Sequence, residues 1–207
     1  MLTADDVKKI VKDEDVHYLR MSFTDDLGAL KNIEIPISLL GDALDNQIKI
    51  DGSSIAGFLP IEHADMYLYP DPASFVIYPW TRGRDKTAAL ICDVYNVDGT
   101  PFAGDPRGIL KKNLAAVNKM GFDALNVGAE PEFFLFKRDE NGRPTMTVND
   151  DAFYFDTEPK DEGEACRRDI ANVLTDMGFK IEAAHHEAAA GQHEIDFRFD
   201  DALHTAD

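Results

Sequence analysis

Basic residues, cysteines and long apolar runs are all scarce in this chain of 207 residues. Its 21 lysines and arginines are outnumbered by 39 aspartates and glutamates, which gives a formal net charge of −18. Such an acidic surface argues against nucleic acid and anionic membranes as partners. It is compatible with cation binding, although an acidic surface also serves solubility alone.

The two cysteines, Cys92 and Cys166, belong to no C-x-x-C pair and form no disulfide framework, so both are predicted to be packed thiols. The sequence has no apolar run near the roughly 20 residues of a membrane span. Its first residues, MLTADDVKKIVKDED, are charged and contain no signal peptide. Neither G-x-x-x-x-G-K-[ST] nor G-x-G-x-x-G occurs. We therefore expect a cytoplasmic protein with no membrane partner and no phosphate loop of either type.

Hydrophobic residues make up 44% of the chain, which is enough for a folded core. A helix is predicted over residues 3–13, followed by a hairpin made of VHYLRMSF and LKNIEIPI and by further short strands. The stretch VDGTPFAGDPRG is dense in turn-forming residues and predicts a domain boundary near residue 103. The first domain, 1–103, is therefore predicted to be a strand-rich α+β domain.

Residues 104–207 are predicted to combine helices with strands. One helix begins at the N-cap Asp105 and stops at Gly121, and a second covers about residues 161–177 and stops at Gly178. Both end in Met-Gly-Phe and lead into a strand, which predicts helices packed on a sheet. The last residues, DDALHTAD, look like the start of a helix, so this second domain is expected to be incomplete.

Glutamates in two separate stretches are the candidate metal ligands. Glu130 and Glu132 in GAEPEFFLF lie two residues apart, so on a strand they project from the same face, at the edge of an apolar run. A half-buried carboxylate is unfavourable unless it is paired, hydrogen-bonded or bound to a metal. The alternative is an exposed pair on the solvent face of the strand.

The stretch HHEAAAGQHEIDF, residues 185–197, predicts a β-hairpin that turns at Ala190 and Gly191. A two-residue loop there gives three facing pairs: Glu187 with Glu194, His186 with Ile195, and His185 with Asp196. Two glutamates directly opposite each other repel, and a cation between them removes that repulsion. The hairpin therefore strengthens the prediction of a metal site.

Carboxylate oxygens are the ligands that Mg²⁺ and Mn²⁺ prefer, so an ion of this kind is predicted. Zinc is not favoured, because six residues separate His186 from His193, whereas the H-E-x-x-H motif has three. His185, His186 and His193 are instead predicted to be structural, to support the ligands or to face the substrate.

Three motifs occur together in one order and spacing: DGSSI, GAEPEFFLF and HHEAAAGQHEIDF. With DMYLYPD, CDVYNVDGTPFAGDPR and GEACRRDI, they make essentially all 207 residues closely resemble bacterial type I glutamine synthetase. The resemblance implies an N-terminal β-grasp domain over residues 1–103. It also implies that residues 104–207 are the first part of a catalytic α/β domain.

The resemblance further implies synthesis of glutamine from L-glutamate, ammonium and ATP through γ-glutamyl phosphate, with two Mg²⁺ or Mn²⁺ ions in each site. By their positions in the family motifs, Glu132, Glu187 and Glu194 would hold the first ion. Glu130 would help to hold the second ion, and Glu182 in KIEAA would contact ATP.

The remaining implied role belongs to Asp51 in DGSSI, which would reach into a neighbouring subunit's site and help to bind and deprotonate ammonium. The family assembles as a dodecamer of two stacked hexameric rings. Further ligands and arginines of the family would follow Asp207, so the 207 residues alone are expected to make no glutamine. Two departures from the family pattern are Ala190 in place of a common proline and Pro60 in place of an arginine linked to feedback inhibition.

Two other interpretations remain open from the sequence. One is a related γ-glutamyl ligase that uses an amine instead of ammonia, and an intact Asp51 favours ammonia. The other is a non-catalytic, truncated domain with a structural or interaction role, which the end of the sequence at Asp207 would favour.

Overall fold

The computed structural model describes residues 2–55, 57–58 and 64–207, so Pro60 lies outside the described residues. The chain divides into two compact units, Met1–Leu125 together with Ala206–Asp207, and Asn126–Thr205. This division into compact units does not test the predicted domain boundary near residue 103, which stays a prediction.

The first unit is built on a mixed β-sheet. Its elements are α1 (Ala4–Asp13), β1 (Tyr18–Thr24), β2 (Leu30–Pro36), α2 (Leu40–Leu44), β3 (Ile48–Asp51), β4 (Asp65–Pro70), β5 (Val76–Ile77), β6 (Thr87–Asn96) and α3 (Pro106–Lys119). The strands lie in the order β2-β1-β6-β4-β3, and β5 also pairs with β6. Strands β1 and β6 run parallel, and the other neighbours run antiparallel.

Local sequence signals account for the first elements of this unit. Thr3 caps α1 through a complete capping box with Asp6, and the helix buries Val7 and Val11. The predicted hairpin is confirmed, because β1 and β2 pair along their whole length. The core under the sheet combines side chains from the helix and the strands, among them Val7, Leu19, Met21, Met66, Leu68, Leu90 and Val94.

The cysteines are packed as predicted in one case and less fully in the other. Cys92 on β6 is fully buried in the first unit's core, and burial raises the pKa of its thiol. Cys166, in the second unit, is half-buried, and both thiols are free.

Helix α3 starts where the sequence predicts. Asp105 is the N-cap, and its carboxylate accepts hydrogen bonds from the backbone N–H groups of Arg107 and Val94 at 3.1 Å each. The buried guanidinium of Arg107 lies 2.7 Å from Asp93 and 2.6 Å from Asp71. Because this charge joins the start of α3 to β6 and to the end of β4, it holds the helix against the sheet.

The second unit carries the hairpin predicted from the sequence. Its elements are β7 (Asn126–Val127), β8 (Glu132–Phe134), β9 (Phe136–Arg138), β10 (Pro144–Val148), α4 (Glu164–Asp176), β11 (Ile181–His186), β12 (Gln192–Phe197) and β13 (Asp200–Asp201). A short helix, α5 (Ala202–Ala206), follows. Strands β11, β12 and β8 form a three-stranded antiparallel sheet in that order.

Helix α4 packs on β11 and β12. The predicted helix over about 161–177 is confirmed, but it begins at Glu164. The Asp161 carboxylate accepts a hydrogen bond from the N–H of Gly163 at 2.8 Å and also binds the guanidinium of Arg167. These two contacts keep Asp161 outside the helix, before its first turn. Among the described residues, no helix has the length and apolar character needed to cross a membrane.

Candidate metal centre

The hairpin between β11 and β12 has a longer loop than predicted. His185 lies opposite Glu194, and the N–H of Glu187 donates to the carbonyl of Gln192 at 2.8 Å, so residues 188–191 form the connection. The predicted register is wrong in each of its three pairs, namely Glu187 with Glu194, His186 with Ile195, and His185 with Asp196. The displacement is two residues, and therefore every side chain keeps the face on which it was predicted.

Strand β8 brings a third glutamate to the same face. Glu132 lies directly opposite Glu194 in the antiparallel pair of β8 and β12. Just before β8, the carbonyl of Pro131 accepts a hydrogen bond from the N–H of Ile195 at 3.3 Å, so the same register continues past the start of the strand. That register places Glu130 beside Asp196, so the like-charged neighbours across the two strands are Glu132 with Glu194 and Glu130 with Asp196.

Three of the four predicted metal ligands meet at this face. Glu132, Glu187 and Glu194 each offer an oxygen atom, and these atoms lie within 4.8 Å of one another. His185 lies among them, with Nε2 at 3.5 Å from a carboxylate oxygen of Glu194. The Nε2 of Gln192 donates to the carboxylate of Glu132 at 2.6 Å and fixes its direction. We call Glu132, Glu187 and Glu194 the three-glutamate cluster.

The electrostatics of the three-glutamate cluster fit a cation. Burial is the main cause that raises the pKa of Glu194 to about 7, and the nearby carboxylates of Glu187 and Asp196 raise it further. The Oδ1 atom of Asp196 is buried and has no hydrogen-bond partner among the residues that the structure describes. A hard divalent ion, with its oxygen ligands, would compensate these clustered carboxylates, of which Glu194 is buried, and would contact the spare oxygen.

The raised pKa of Glu194 predicts how the stability of the metal-free chain changes with pH. The folded form holds a proton that the unfolded form releases near pH 4.5, the ordinary value for this carboxyl. This contribution to stability is fully present below about pH 4.5 and is lost as the pH rises to about 7. Relative to Glu194→Gln, the unmodified chain should therefore lose stability by at most about 1.4 kcal/mol per pH unit over that window, and no more above it.

Thermal unfolding of both chains in a chelating buffer between pH 4.5 and 8.5 would measure this difference. A difference that stays constant across the whole range would contradict the raised pKa. Glu140→Gln changes an exposed glutamate and is the control. The difference in stability between the unmodified chain and Glu140→Gln should not change in this way between pH 4.5 and 7.

The opposite face of the hairpin carries a buried network. Nε2 of His186 lies 2.9 Å from Oδ1 of Asp150, and Nδ1 of His193 lies 2.7 Å from the guanidinium of Arg167. Because arginine only donates hydrogen bonds, Nδ1 of His193 must accept, so this ring is neutral. Burial, together with the charge of Arg167, lowers the pKa of His193. Arg167 is bound in turn by Asp161.

Asp150, His186 and His193 also have side-chain atoms close enough to hold a metal ion. Their hydrogen bonds argue against that use, since the lone pair of His193 Nδ1 is taken by Arg167 and a cation already lies beside the ring. His186 and His193 are therefore part of a buried hydrogen-bonded network, and the expectation that they bind no zinc stays a prediction.

Gly191 closes the loop on the buried side. Its φ is +67°, and a Cβ atom there would lie 2.7 Å from Cβ of Val148 and 3.0 Å from Oδ1 of Asn149. Its N–H donates to Asp150 at 3.0 Å. A contact with a distant segment, rather than the local turn sequence, therefore decides the loop length.

Replacing Gly191 by alanine is expected to destabilise the second unit by about 2–4 kcal/mol, from the left-handed backbone and the clash together. Gly142→Ala is the matched control, because Gly142 also has a positive φ, +75°, but open space at its Cβ position. The control should cost only about 1–2 kcal/mol. Urea dependence of amide hydrogen exchange in β12 measures both, and equal costs would contradict the close approach at Gly191.

The other predicted site residues lie outside the three-glutamate cluster. Glu130 is exposed just before β8, and Glu182 is exposed near the start of β11. Asp51 ends β3 in the first unit, where hydrogen bonds from Ser53 and then Ser54 lower the pKa of its carboxyl. Neither Asp150 nor the pair of Asp161 and Arg167 was predicted from the sequence, because their partners are distant in the chain and no motif of the predicted chemistry includes them.

Comparisons with known proteins agree over both parts of the chain. Residues 15–97 match the family model "Glutamine synthetase, beta-Grasp domain", and residues 103–207 match "Glutamine synthetase, catalytic domain". The glutamine synthetases of Staphylococcus aureus (strain MW2) and Staphylococcus epidermidis (strain ATCC 12228 / FDA PCI 1200) are each 58% identical over 205 residues. These alignments cover 99% of this chain and 46% of each relative, so the chain spans about half the length of those curated relatives.

Solved structures are similar as well. Glutamine synthetase of Plasmodium falciparum has a TM-score of 0.84 at 23% identity, covering 99% of this chain and 46% of that chain, which is a likeness of fold. A complex of GmaS with ADP has a TM-score of 0.82 at 28% identity, covering 97% and 45%. The expected α+β architecture with a β-grasp domain is thereby confirmed, and the chain belongs to the glutamine synthetase family.

Proposed function

We propose that the intact protein carrying this sequence is a glutamate–ammonia ligase, which forms glutamine from L-glutamate, ammonium and ATP through γ-glutamyl phosphate. The observation that carries the proposal is the three-glutamate cluster, whose oxygen atoms lie within 4.8 Å of one another on one face of a sheet. Relatives that are 58% identical bear the name glutamine synthetase, which supports it. The matched ranges 15–97 and 103–207 support a division into domains 1–103 and 104–207.

The three-glutamate cluster would hold one Mg²⁺ or Mn²⁺ ion, and Glu130 would help to hold a second. The unpaired oxygen of Asp196 and the raised pKa of Glu194 support this fit. When bound, the two ions would neutralise the phosphate charges and align the γ-phosphate with the attacking carboxylate of glutamate.

The chain's own groups set up the site. Glu194 must release its proton before it can act as a full carboxylate ligand, and Gln192 holds the Glu132 carboxylate in place. Asp51 is a carboxylate at neutral pH, and hydrogen bonds from Ser53 and Ser54 lower its pKa further, so it suits the binding of a positive ammonium ion. We propose that it takes part in ammonium deprotonation in a neighbouring subunit of a dodecamer.

Glu182 is proposed to contact ATP, since its side chain is exposed on the hairpin. The similar GmaS structure is a complex with ADP, which supports an adenine nucleotide as co-substrate. Substrates of this kind favour the cytoplasm as the location.

The test is glutamine formation by the intact protein with ATP, Mn²⁺ or Mg²⁺, and either ammonium or a small amine. We expect product with ammonium, and a loss of at least about 100-fold in Glu132→Gln and Glu187→Gln, with Glu140→Gln as the unaffected control. Product with the amine alone would favour the γ-glutamyl-amine ligase instead. No ATP-dependent product at all would favour the non-catalytic alternative. The expectation that the 207 residues alone make no glutamine stays a prediction.

A further inference from the structure

One buried carboxylate, that of Asp150, is bound to both sides of the loop between β11 and β12. Asp150 is the second residue after β10, and its side chain is 1% exposed. Oδ1 lies 2.9 Å from Nε2 of His186 and accepts from the N–H of Gly191 at 3.0 Å. Oδ2 accepts from the N–H of Glu162 at 3.0 Å and from the amide of Asn149 at 2.9 Å.

These four contacts leave no free position on the carboxylate, which has about four lone-pair sites. Asp150 therefore serves as a junction between three chain segments: the end of β10, the segment before α4, and the loop. It has no remaining capacity to bind a metal ion or a substrate.

His186 links Asp150 to the backbone of Glu187, a member of the three-glutamate cluster. Nδ1 of His186 lies 2.6 Å from the carbonyl oxygen of Glu187, while the N–H of Glu187 donates to Gln192 at 2.8 Å. The backbone of Glu187 is thus held on both sides of its Cα atom. Because Asp150 holds the His186 ring, it indirectly sets the direction in which the Glu187 side chain leaves the loop.

The neighbouring strand has a further anchor in α4. His193 precedes Glu194 and is held by Arg167, which Asp161 binds with two hydrogen bonds. A Cβ atom at Gly163 would overlap the His193 ring, so this ring is also enclosed by backbone. Glu194 therefore has an anchor through His193 and Arg167, whereas the direct anchor of Glu187 runs through His186 to Asp150.

We propose that Asp150 is a positioning residue, which sets the distance of the Glu187 carboxylate from Glu132 and Glu194 without being a ligand itself. The proposal rests on the proposed function, in which these glutamates bind a divalent cation. Supporting groups of this type typically change metal affinity by about 10- to 100-fold when they are lost.

The test compares Asp150→Asn with Asp151→Asn, a matched change at the next residue, which is exposed. In the intact protein, the Mn²⁺ concentration for half-maximal glutamine formation should rise about 10- to 100-fold in Asp150→Asn and stay unchanged in Asp151→Asn. The kcat at saturating Mn²⁺ should remain within about 3-fold of the unmodified protein. A variant that is merely less folded would show a lower kcat without a shift in the Mn²⁺ midpoint, and that result would overturn the proposal.

A second measurement separates this proposal from the proposed function. In metal-free protein, amide hydrogen exchange at Gly191 and Gln192 should become at least about 10-fold faster in Asp150→Asn, with no change in β1 or β6. If the unmodified protein neither binds Mn²⁺ nor forms glutamine, the proposed function fails, and the positioning role in a metal site fails with it. If the unmodified protein is active, unchanged exchange at Gly191 overturns the positioning role alone.

Should Asp150→Asn fail to fold, His186→Phe interrupts the same chain of contacts with a ring of similar shape. It should shift the Mn²⁺ midpoint by a similar factor, about 10- to 100-fold. An unchanged midpoint in a folded His186→Phe protein would overturn the proposal.

Discussion

Glu194→Gln is expected to lower the affinity of the chain for Mn²⁺ by more than about 100-fold, a larger loss than supporting groups usually produce. Glu194 lies opposite Glu132 and contributes one of the three clustered oxygen atoms. Glutamine keeps the shape of the side chain and one oxygen but removes the negative charge that a hard cation needs. Calorimetric titration of Mn²⁺ into the metal-free chain measures the change.

Two controls make this result specific. Glu140→Gln removes an equal charge at an exposed position and should bind Mn²⁺ like the unmodified chain. Mn²⁺ at about 100 times its dissociation constant should stabilise the unmodified chain by about 2.7 kcal/mol, and Glu194→Gln should lose that stabilisation. Binding by Glu194→Gln within about 3-fold of the unmodified chain would place the ion elsewhere.

Arg167→Ala is expected to destabilise the second unit by about 3–5 kcal/mol, because it leaves the buried carboxylate of Asp161 without its counter-charge. The side chains of Arg167 and Asp161 are 6% and 1% exposed. The same change also removes the donor to Nδ1 of His193, which is buried. Urea dependence of amide exchange in β12 reports the free energy of unfolding of this unit.

The adjacent arginine provides a matched control. Arg168 pairs with Glu164 on the surface of α4, with 64% of its side chain exposed, so Arg168→Ala should cost no more than about 1 kcal/mol. Combining Arg167→Ala with Asp161→Asn should recover part of the loss, since the uncompensated charge is gone. Equal destabilisation by Arg167→Ala and Arg168→Ala would contradict a buried ion pair.

Elements whose signals lie within a few residues were predictable. The helix predicted over residues 3–13, which begins with the capping box of Thr3 and Asp6, formed where the sequence placed it, as did the N-cap at Asp105 and the β1–β2 hairpin. Each depends on a hydrogen bond or an alternation between near neighbours, and such interactions hardly change with the rest of the fold.

The hairpin register was not predictable in the same way. The sequence of the turn favoured a two-residue loop at Ala190 and Gly191, whereas the structure has a four-residue connection. Asp150, 41 positions away from Gly191, binds the loop and overrides the local preference. Because the error was two residues, the side chains still faced the predicted side.

The sequence by itself determined the family, the α+β class and the identity of the clustered glutamates, since these follow from motifs and from alternation along single strands. Only the tertiary structure decided that Glu132 pairs with Glu194, that Asp150 anchors the loop, and that Arg167 neutralises Asp161 inside the second unit. Strand order and buried ion pairs depend on which distant segments pack against each other and are removed from water. The free energy of that burial cannot be inferred from any short stretch of residues.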